Sequence, residues 1–308
     1  MSFEKFEVGD SVLYNGDCFD VLETLEDGSI DCCLSDPPYS SQTFGRCTDC
    51  EWDVAVDLPN LWRLVNCKTK PSANIVLFGN MKLAYDLINT NPKAFRYDLV
   101  WAKNNRTNFL NANLRPLSAH ESICVFGKPG NMVESTYNAL KTGSGRPRMN
   151  RTKARKTGGV YPPSQEGYTT VSDGTTHPIS ILAFDRDGVQ LDHPTQKPLN
   201  LMGWLVMTYS NPGDIVLDMF SGSGTTLEAA LRLNRRFIGI ERERSYFDIA
   251  CKRLEKAWQR KCNMRRTAFM SFPTSATETD QTDAEAVPIP EPEQNYEVPN
   301  LKEDLCQD

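Results

Sequence analysis

Asp36, Pro37, Pro38 and Tyr39 end the apolar run Ile30-Asp31-Cys32-Cys33-Leu34-Ser35. A β-rich run that stops at an acid and two prolines reads as a buried strand delivering a carboxylate and an aromatic ring to a sheet edge. Pro37 and Pro38 fix φ and lack N–H groups, so the loop cannot continue a ladder and its carbonyls are left to accept hydrogen bonds. Acceptors beside a flat ring suit an exocyclic amine on a planar heterocycle. The plain alternative is a strand-ending turn with Tyr39 packed in the core.

A second candidate lies far along the chain. Asp214 to Met219 reads as a strand leading into Phe220-Ser221-Gly222-Ser223-Gly224-Thr225-Thr226, followed by a helix over Leu227 to Leu233. Glycines in such a turn let a ligand approach backbone atoms closely. Glu241 ends the next strand, 17 residues after Gly224, where an acid can hold both hydroxyls of a ribose. A dinucleotide fingerprint would place a third glycine at Leu227, and Asp218 would repel a pyrophosphate, so nicotinamide binding is disfavoured. A third segment, His193-Pro194-Thr195-Gln196-Lys197-Pro198, precedes a helix over Leu199 to Tyr209.

Strands and helices must position these groups. Ser11 to Gly16 reads as a strand, Phe19 to Leu25 as a short helix and Ile30 to Ser35 as a strand. A polar segment from Ser40 to Asp53, long enough to be mobile, precedes a helix over Leu58 to Val65. A strand over Asn74 to Phe78, a helix over Met81 to Asn89, and strands over Tyr97 to Trp101 and Ser122 to Phe126 follow. With the strand at Phe237 to Ile240 and a closing helix over Tyr246 to Lys261, the alternation predicts an α/β fold: a doubly wound, mostly parallel sheet with helices on both faces.

From Lys128 to Asp192 the apolar period is lost. Lys141, Arg146, Arg148, Arg151, Lys153, Arg155 and Lys156 fall there in one run with no acid, near Tyr161 and Tyr168. Such a run is either a solvated face or a nucleic-acid contact with stacking rings close by. A structureless stretch this long is unusual inside a compact domain, so it reads as an inserted module. The expected organisation is a catalytic domain over 1–127 and 193–265, an inserted basic region over 128–192, and a tail over 266–308.

Net charge is −6 over 308 residues, but the stretch from Ser271 onward holds ten acids against Lys302, so it carries −9 and the rest is +3. The tail lacks a sustained period and reads as disordered. No apolar run approaches a membrane span and the N-terminus has no signal-peptide core, so a cytoplasmic location is expected. Ten cysteines are scattered, several inside predicted elements, and read as reduced thiols. Cys47 and Cys50 have metal-like spacing but no companion pair, and no metal is expected. Cys32 and Cys33 are assigned to the core.

Asp-Pro-Pro-Tyr, then His-Pro-Thr-Gln-Lys-Pro, then Asp-Met-Phe-Ser-Gly-Ser-Gly-Thr-Thr together resemble the β-group amino-methylating DNA methyltransferases, over roughly residues 10 to 260. The target-base half precedes the cofactor half in that group, as it does here. The resemblance implies S-adenosylmethionine as cofactor and double-stranded DNA as substrate. It places Asp36 and the Pro37 carbonyl on the target amine and Tyr39 against a flipped base. Phe220, Ser221, Gly222, Gly224 and Thr225 would line the cofactor, with Asp36 and Asp218 near its amino-acid end and Glu241 on its ribose. Asp17 and Cys18 would face its adenine; Thr195 and Lys197 would hold its carboxylate, and His193 would pack or cap. Asp rather than Ser before Pro-Pro-Tyr is the form the group associates with adenine N6; cytosine N4 and an inactive DNA-binding protein remain alternatives. Monomer and homodimer are both open, and no restriction partner is evident.

Overall fold

The computed structural model describes residues 3–128, 134–143, 146–152, 168–185 and 196–270. Two compact units emerge, one formed by Met1–Tyr137 with Ile181–Asp308 and the other by Asn138–Ser180.

The first unit opens with β1 (Glu4–Val8) and β2 (Ser11–Asn15), an antiparallel pair joined by the two-residue turn Gly9-Asp10. Gly9 has φ +55 and packs its Cα against the Trp258 ring, which a Cβ would meet at 3.1 Å. Then follow α1 (Cys18–Thr24), β3 (Ile30–Ser35), α2 (Leu58–Lys68), β4 (Thr69–Gly79), α3 (Met81–Thr90), β5 (Phe95–Thr107) and β6 (Ser118–Gly127). The second unit contributes β7 (Arg148–Thr152) and β8 (Tyr168–Ser172), an antiparallel pair. The first unit resumes with β9 (Ile181–Ala183), α4 (Leu199–Tyr209), β10 (Ile215–Asp218), α5 (Thr225–Arg232), β11 (Arg236–Glu241) and α6 (Arg244–Met270).

The main sheet has the order β1-β2-β11-β10-β3-β4-β6-β5-β9. β2, β11, β10, β3 and β4 run parallel, while β6 runs against β4 and β5, and β1 against β2. β3 and β4 are buried along most of their length, which is why they read as continuous apolar runs rather than alternating ones. Strand order reverses between β3 and β10: from β3 the chain crosses through α2 to β4 on one side, from β10 through α5 to β11 on the other. In open α/β sheets, such a switch point leaves a crevice at the carboxyl ends of the strands. Asp31 fastens this centre from below, accepting from Ile215 N at 2.9 Å and pairing with Lys70 at 2.5 Å.

Local chemistry sets the helix ends. Asp17, Asp57 and Asn80 cap α1, α2 and α3 through side-chain acceptors. α4 is apolar on nearly every face and correspondingly buried, with Leu201, Leu205 and Val206 fully enclosed.

Three expectations change in extent. β5 and β6 are a long hairpin of 13 and 10 residues, longer than the apolar cores Tyr97 to Trp101 and Ser122 to Phe126. The segment Ser40 to Asp53 is tied down: Asp53 accepts from Ser40 N at 2.9 Å and Thr48 N at 2.7 Å, and Asp86 accepts from Ser41 and Thr43. Finally, β9 pairs with β5 in the main sheet, so the second unit ends at Ser180 rather than running on to 192. No helix among the described residues is long and apolar enough to cross a membrane.

Candidate active site

The crevice at the switch point is a cavity of about 430 Å³, a size typical of small-molecule sites. Its walls come from the carboxyl ends of β2, β3, β10 and β11, the start of β6, and the loop before α2. Two clusters of buried polar groups face it.

The first surrounds the Pro-Pro loop. Because β6 runs antiparallel to β4 with Gly79 opposite Ser122, its amino end lies at the same sheet edge as the carboxyl end of β3. This register delivers Glu121 to the loop. Tyr39 OH donates to Glu121 Oε2 at 2.8 Å, and Lys103 Nζ donates to Glu121 Oε1 at 3.0 Å. Lys197, at the approach to α4, donates to an Asp36 oxygen and lies 3.3 Å from Glu121 Oε2 and 3.2 Å from Tyr39 OH. Its ammonium also sits over the rings of Tyr39 and Phe78, at 5.3 and 5.0 Å from their centroids. Asp36 Oδ1 is buried and has no hydrogen-bond partner among the described residues.

Two carboxylates therefore share two lysines unequally. Burial raises the Glu121 carboxyl, but Lys197 and Lys103 outweigh it and hold it down at about 2. Of the two lysines Asp36 meets only Lys197, so burial, reinforced by the Glu121 charge, outweighs Lys197 and Tyr39 and leaves its carboxyl above the usual range. Burial opposes the Lys197 charge, yet Asp36 and Glu121 more than compensate and raise its pKa. Burial and the two acids push the Tyr39 phenol well up, so it is a neutral donor.

The second cluster is built on β10 and β11. Ser35 Oγ donates to Asp218 Oδ1 at 2.9 Å and accepts from Met219 N at 2.7 Å, stitching the ends of β3 and β10 together. Gly222 (φ +50) and Gly224 (φ +80) turn the chain into α5. Gly222 N donates to Glu241 Oε2 and Glu243 N to Glu241 Oε1, both at 2.7 Å, so the Glu241 carboxylate is aimed by backbone on both sides. Burial lifts Glu241 to about 7 and Asp218 to about 6, each opposed by the hydrogen bonds it accepts.

Of the residues singled out in the sequence, Asp17, Cys18, Asp36, Pro37, Tyr39, Lys197, Asp218, Phe220, Ser221, Gly222, Thr225 and Glu241 line the cavity. Gly224 does not; a Cβ there would meet Ala250 Cβ of α6 at 3.0 Å, so its place is explained by helix packing. Lys197, expected beside a cofactor carboxylate, has its ammonium on Asp36 and Glu121. Asp17 accepts from Phe19 N at 2.9 Å as the α1 cap, and burial pushes the Cys18 thiol up to about 12. Cys32 and Cys33 are fully buried in the core. Thr195, His193, Lys153, Arg155 and Lys156 lie outside the described residues. In the second unit, Arg146 is exposed, Lys141 lies 3.6 Å from Asp173, and Arg148 and Arg151 fall in β7.

Sequence reasoning missed Glu121, Lys103, Trp52 and Tyr246. Trp52 and Tyr246 hydrogen-bond to each other and both line the cavity, one from the loop before α2 and one from α6. The cavity suits a cationic, nucleoside-bearing ligand: aromatic walls from Trp52, Phe19 and Phe220, and acids at Asp17, Asp218 and Glu241.

A family model described as DNA methylase, of the N6/N4 methyltransferases, matches residues 30–252. Type II methyltransferase M.HinfI of Haemophilus influenzae is 31% identical over 271 residues, covering 80% of this chain and 68% of that protein. Type II methyltransferase M2.DpnII of Streptococcus pneumoniae is 54% identical over 63 residues, 20% of this chain and 24% of that one. Among solved structures, the cytosine-N4-specific PvuII DNA methyltransferase superposes with TM-score 0.59 at 18% identity, covering 85% of this chain and 97% of that one. M1.HpyAVI in complex with S-adenosylmethionine gives 0.50 at 24%, covering 79% and 98%. The chain belongs to the N6/N4 DNA methylase family. It is a DNA methyltransferase, and S-adenosylmethionine is its cofactor.

Proposed function

We propose that the protein methylates the N6 amino group of a flipped-out adenine in double-stranded DNA by direct transfer. The observation that carries this reading is Asp36, a residue of the cavity wall whose Oδ1 has no hydrogen-bond partner among the described residues while Lys197 holds the other oxygen. Asp rather than Ser at this place favours adenine over cytosine, within a fold that a cytosine-N4-specific enzyme also shares.

An exocyclic amine is a poor nucleophile because its lone pair is delocalised into the ring. Asp36 Oδ1 and the Pro37 carbonyl, placed around it, draw the N–H groups and favour a tetrahedral nitrogen with its lone pair localised. Tyr39 offers its face to the base, while its hydroxyl is fixed on Glu121. Lys197 keeps Asp36 oriented and, with Glu121, settles the charge of the loop. The work is positioning and electrostatics, with no covalent enzyme intermediate. The cofactor, when bound, supplies an electrophilic methyl group. Glu241 would hold its ribose, Asp17 and Cys18 would face its adenine, and Asp218, Phe220, Ser221, Gly222 and Thr225 would complete its pocket. A duplex base reaches such a site only by leaving the stack, at a cost of a few kcal/mol.

In this reading 1–127 and 193–265, joined by β9 at the edge of the main sheet, form the catalytic domain. The basic run within 128–192, from Lys141 through Arg146, Arg148, Arg151, Lys153 and Arg155 to Lys156, neutralises phosphates and contributes to sequence choice. Incubating the purified protein with unmethylated plasmid DNA and methyl-labelled S-adenosylmethionine, then separating the nucleosides, tests it. Label in N6-methyladenine is expected. Label in N4-methylcytosine overturns the choice of base, and absence of label from DNA overturns the activity.

A further inference from the structure

The hairpin of β5 and β6 carries a feature that neither the cavity nor the basic second unit uses. Between Thr107, which pairs with Ser118, and the start of β6 the chain forms an ordered tip. Asn108 takes a left-handed conformation (φ 71) and its side chain donates to Ser118 Oγ at 2.8 Å. A single 3-10 turn follows over Phe109–Asn111, and Leu114 N and Arg115 N both donate to Asn111 O, at 2.9 and 3.0 Å. This internally bonded tip nevertheless turns three large apolar side chains to solvent. Phe109 is 66% exposed, Leu114 85% and Leu110 101%. Isolated exposed apolar residues are ordinary, but three on one hydrogen-bonded turn form a patch that calls for a partner.

Charge identifies the partner. From Lys103 to Arg115 the sequence contains no acid, and Arg106 and Arg115 flank the apolar turn with no ion pair among the described residues. Five asparagines, at 104, 105, 108, 111 and 113, complete the segment; asparagine side chains can pair with base edges. The hairpin leaves the sheet at the edge where the cavity opens: Trp101 lies opposite Glu121, and the tip continues roughly 15–20 Å beyond that pair. Lys103 at its foot is bonded to Glu121, so hairpin and catalytic loop share an anchor.

We infer that the Asn108–Arg115 tip is a DNA-contacting wedge: Leu110 and Phe109 enter the duplex beside the target base and Arg106 and Arg115 bind the flanking phosphates. Apolar side chains used this way unstack a base step, and the phosphate contacts hold the protein in register. The inference rests on the proposed base-extruding methyltransferase reading and names a surface for it outside the basic second unit.

Three measurements test it, each on full-length protein. Replacing Leu110 by the photocrosslinker p-benzoylphenylalanine is expected to give a protein–DNA adduct on a 40-base-pair unmethylated duplex. Arg106→Ala with Arg115→Ala is expected to lower the slope of log Kd against log salt on that duplex by about 1.5–2. Leu110→Ala is expected to slow methylation of linear unmethylated plasmid about tenfold while leaving affinity for S-adenosylmethionine unchanged. An unchanged slope with no DNA adduct overturns the inference, as does a protein–protein adduct in its place, which would make the tip a surface for a second copy. Should the parent itself transfer no methyl group, the methyltransferase reading fails while adduct and slope still judge the tip.

Discussion

Glu121 has the most consequential environment in the site, and replacing it by glutamine makes a quantitative test. The substitution keeps size and one acceptor but removes the charge shared by Lys103 and Lys197, whose side chains are only 8% and 7% exposed. A carboxyl held at about 2 against an ordinary 4.5 corresponds to about 3 kcal/mol of stability. Because the folded pKa is lowered, that stability is fully present above the ordinary value and lost as pH falls through about 2. Urea unfolding should therefore show Glu121→Gln less stable than the parent by about 3 kcal/mol at pH 7, with the gap closing between about pH 5 and 2. The same variant lets Lys197 draw fully onto Asp36 and weakens that carboxylate as an acceptor for the target amine, so kcat should fall about 10- to 100-fold. Affinity for S-adenosylmethionine, followed by calorimetry, should change little. Equal stability at pH 7, or a gap that does not vary with pH, would refute the electrostatic account of the loop.

Other outcomes follow from single contacts. Tyr39→Phe keeps the ring and loses the bond to Glu121, so it should retain most activity, whereas Tyr39→Ala should lose about 100-fold or more in kcat/KM. Glu241 is raised to about 7, so its contribution is present at low pH and lost as pH rises through that value; parent thermal midpoints should fall between about pH 5 and 8, and Glu241→Gln should remove the upper part of that fall. At Gly127 a new Cβ would run into the Arg96 guanidinium, which bonds Asn74 Oδ1 at 3.0 Å; Gly127→Ala should cost about 1–3 kcal/mol in chemical denaturation.

Much of the centre of the fold was legible, because parallel strands buried on both faces and bounded by Pro, Gly or Asp announce themselves. β3 and α4 have the limits the sequence suggested, Ile30–Ser35 and Leu199–Tyr209. The edges were less so. β1 carries Glu4, Lys5 and Glu7 on an exposed edge, and the outer halves of β5 and β6 are polar hairpin, so neither shows an apolar run. Within Lys128 to Asp192 the structure finds β7, β8 and the three-residue β9, each too short or too exposed to leave a period.

The site divides in the same way. Groups delivered by one strand end, such as Asp36, Asp218 and Glu241, could be read from local pattern. Glu121 could not, because only the antiparallel register of β6 against β4 brings it to Tyr39. Lys197 was noticed, but its partners lie 161 and 76 residues away in sequence, at Asp36 and Glu121, and only the folded chain shows that they compete for it. The ordered loop before α2 depends on Asp53 and Asp86 accepting from Ser and Thr groups, a pattern that in sequence looks like any polar segment.

The central claim is that the Asp36 loop methylates adenine in DNA. Mass spectrometry of nucleosides from plasmid DNA grown with the parent protein, compared with the Asp36→Ala variant, tests it most directly. The account predicts N6-methyladenine with the parent alone, while the variant still binds S-adenosylmethionine. N4-methylcytosine in its place, the same modification from the variant, or no modified base from either protein would contradict it.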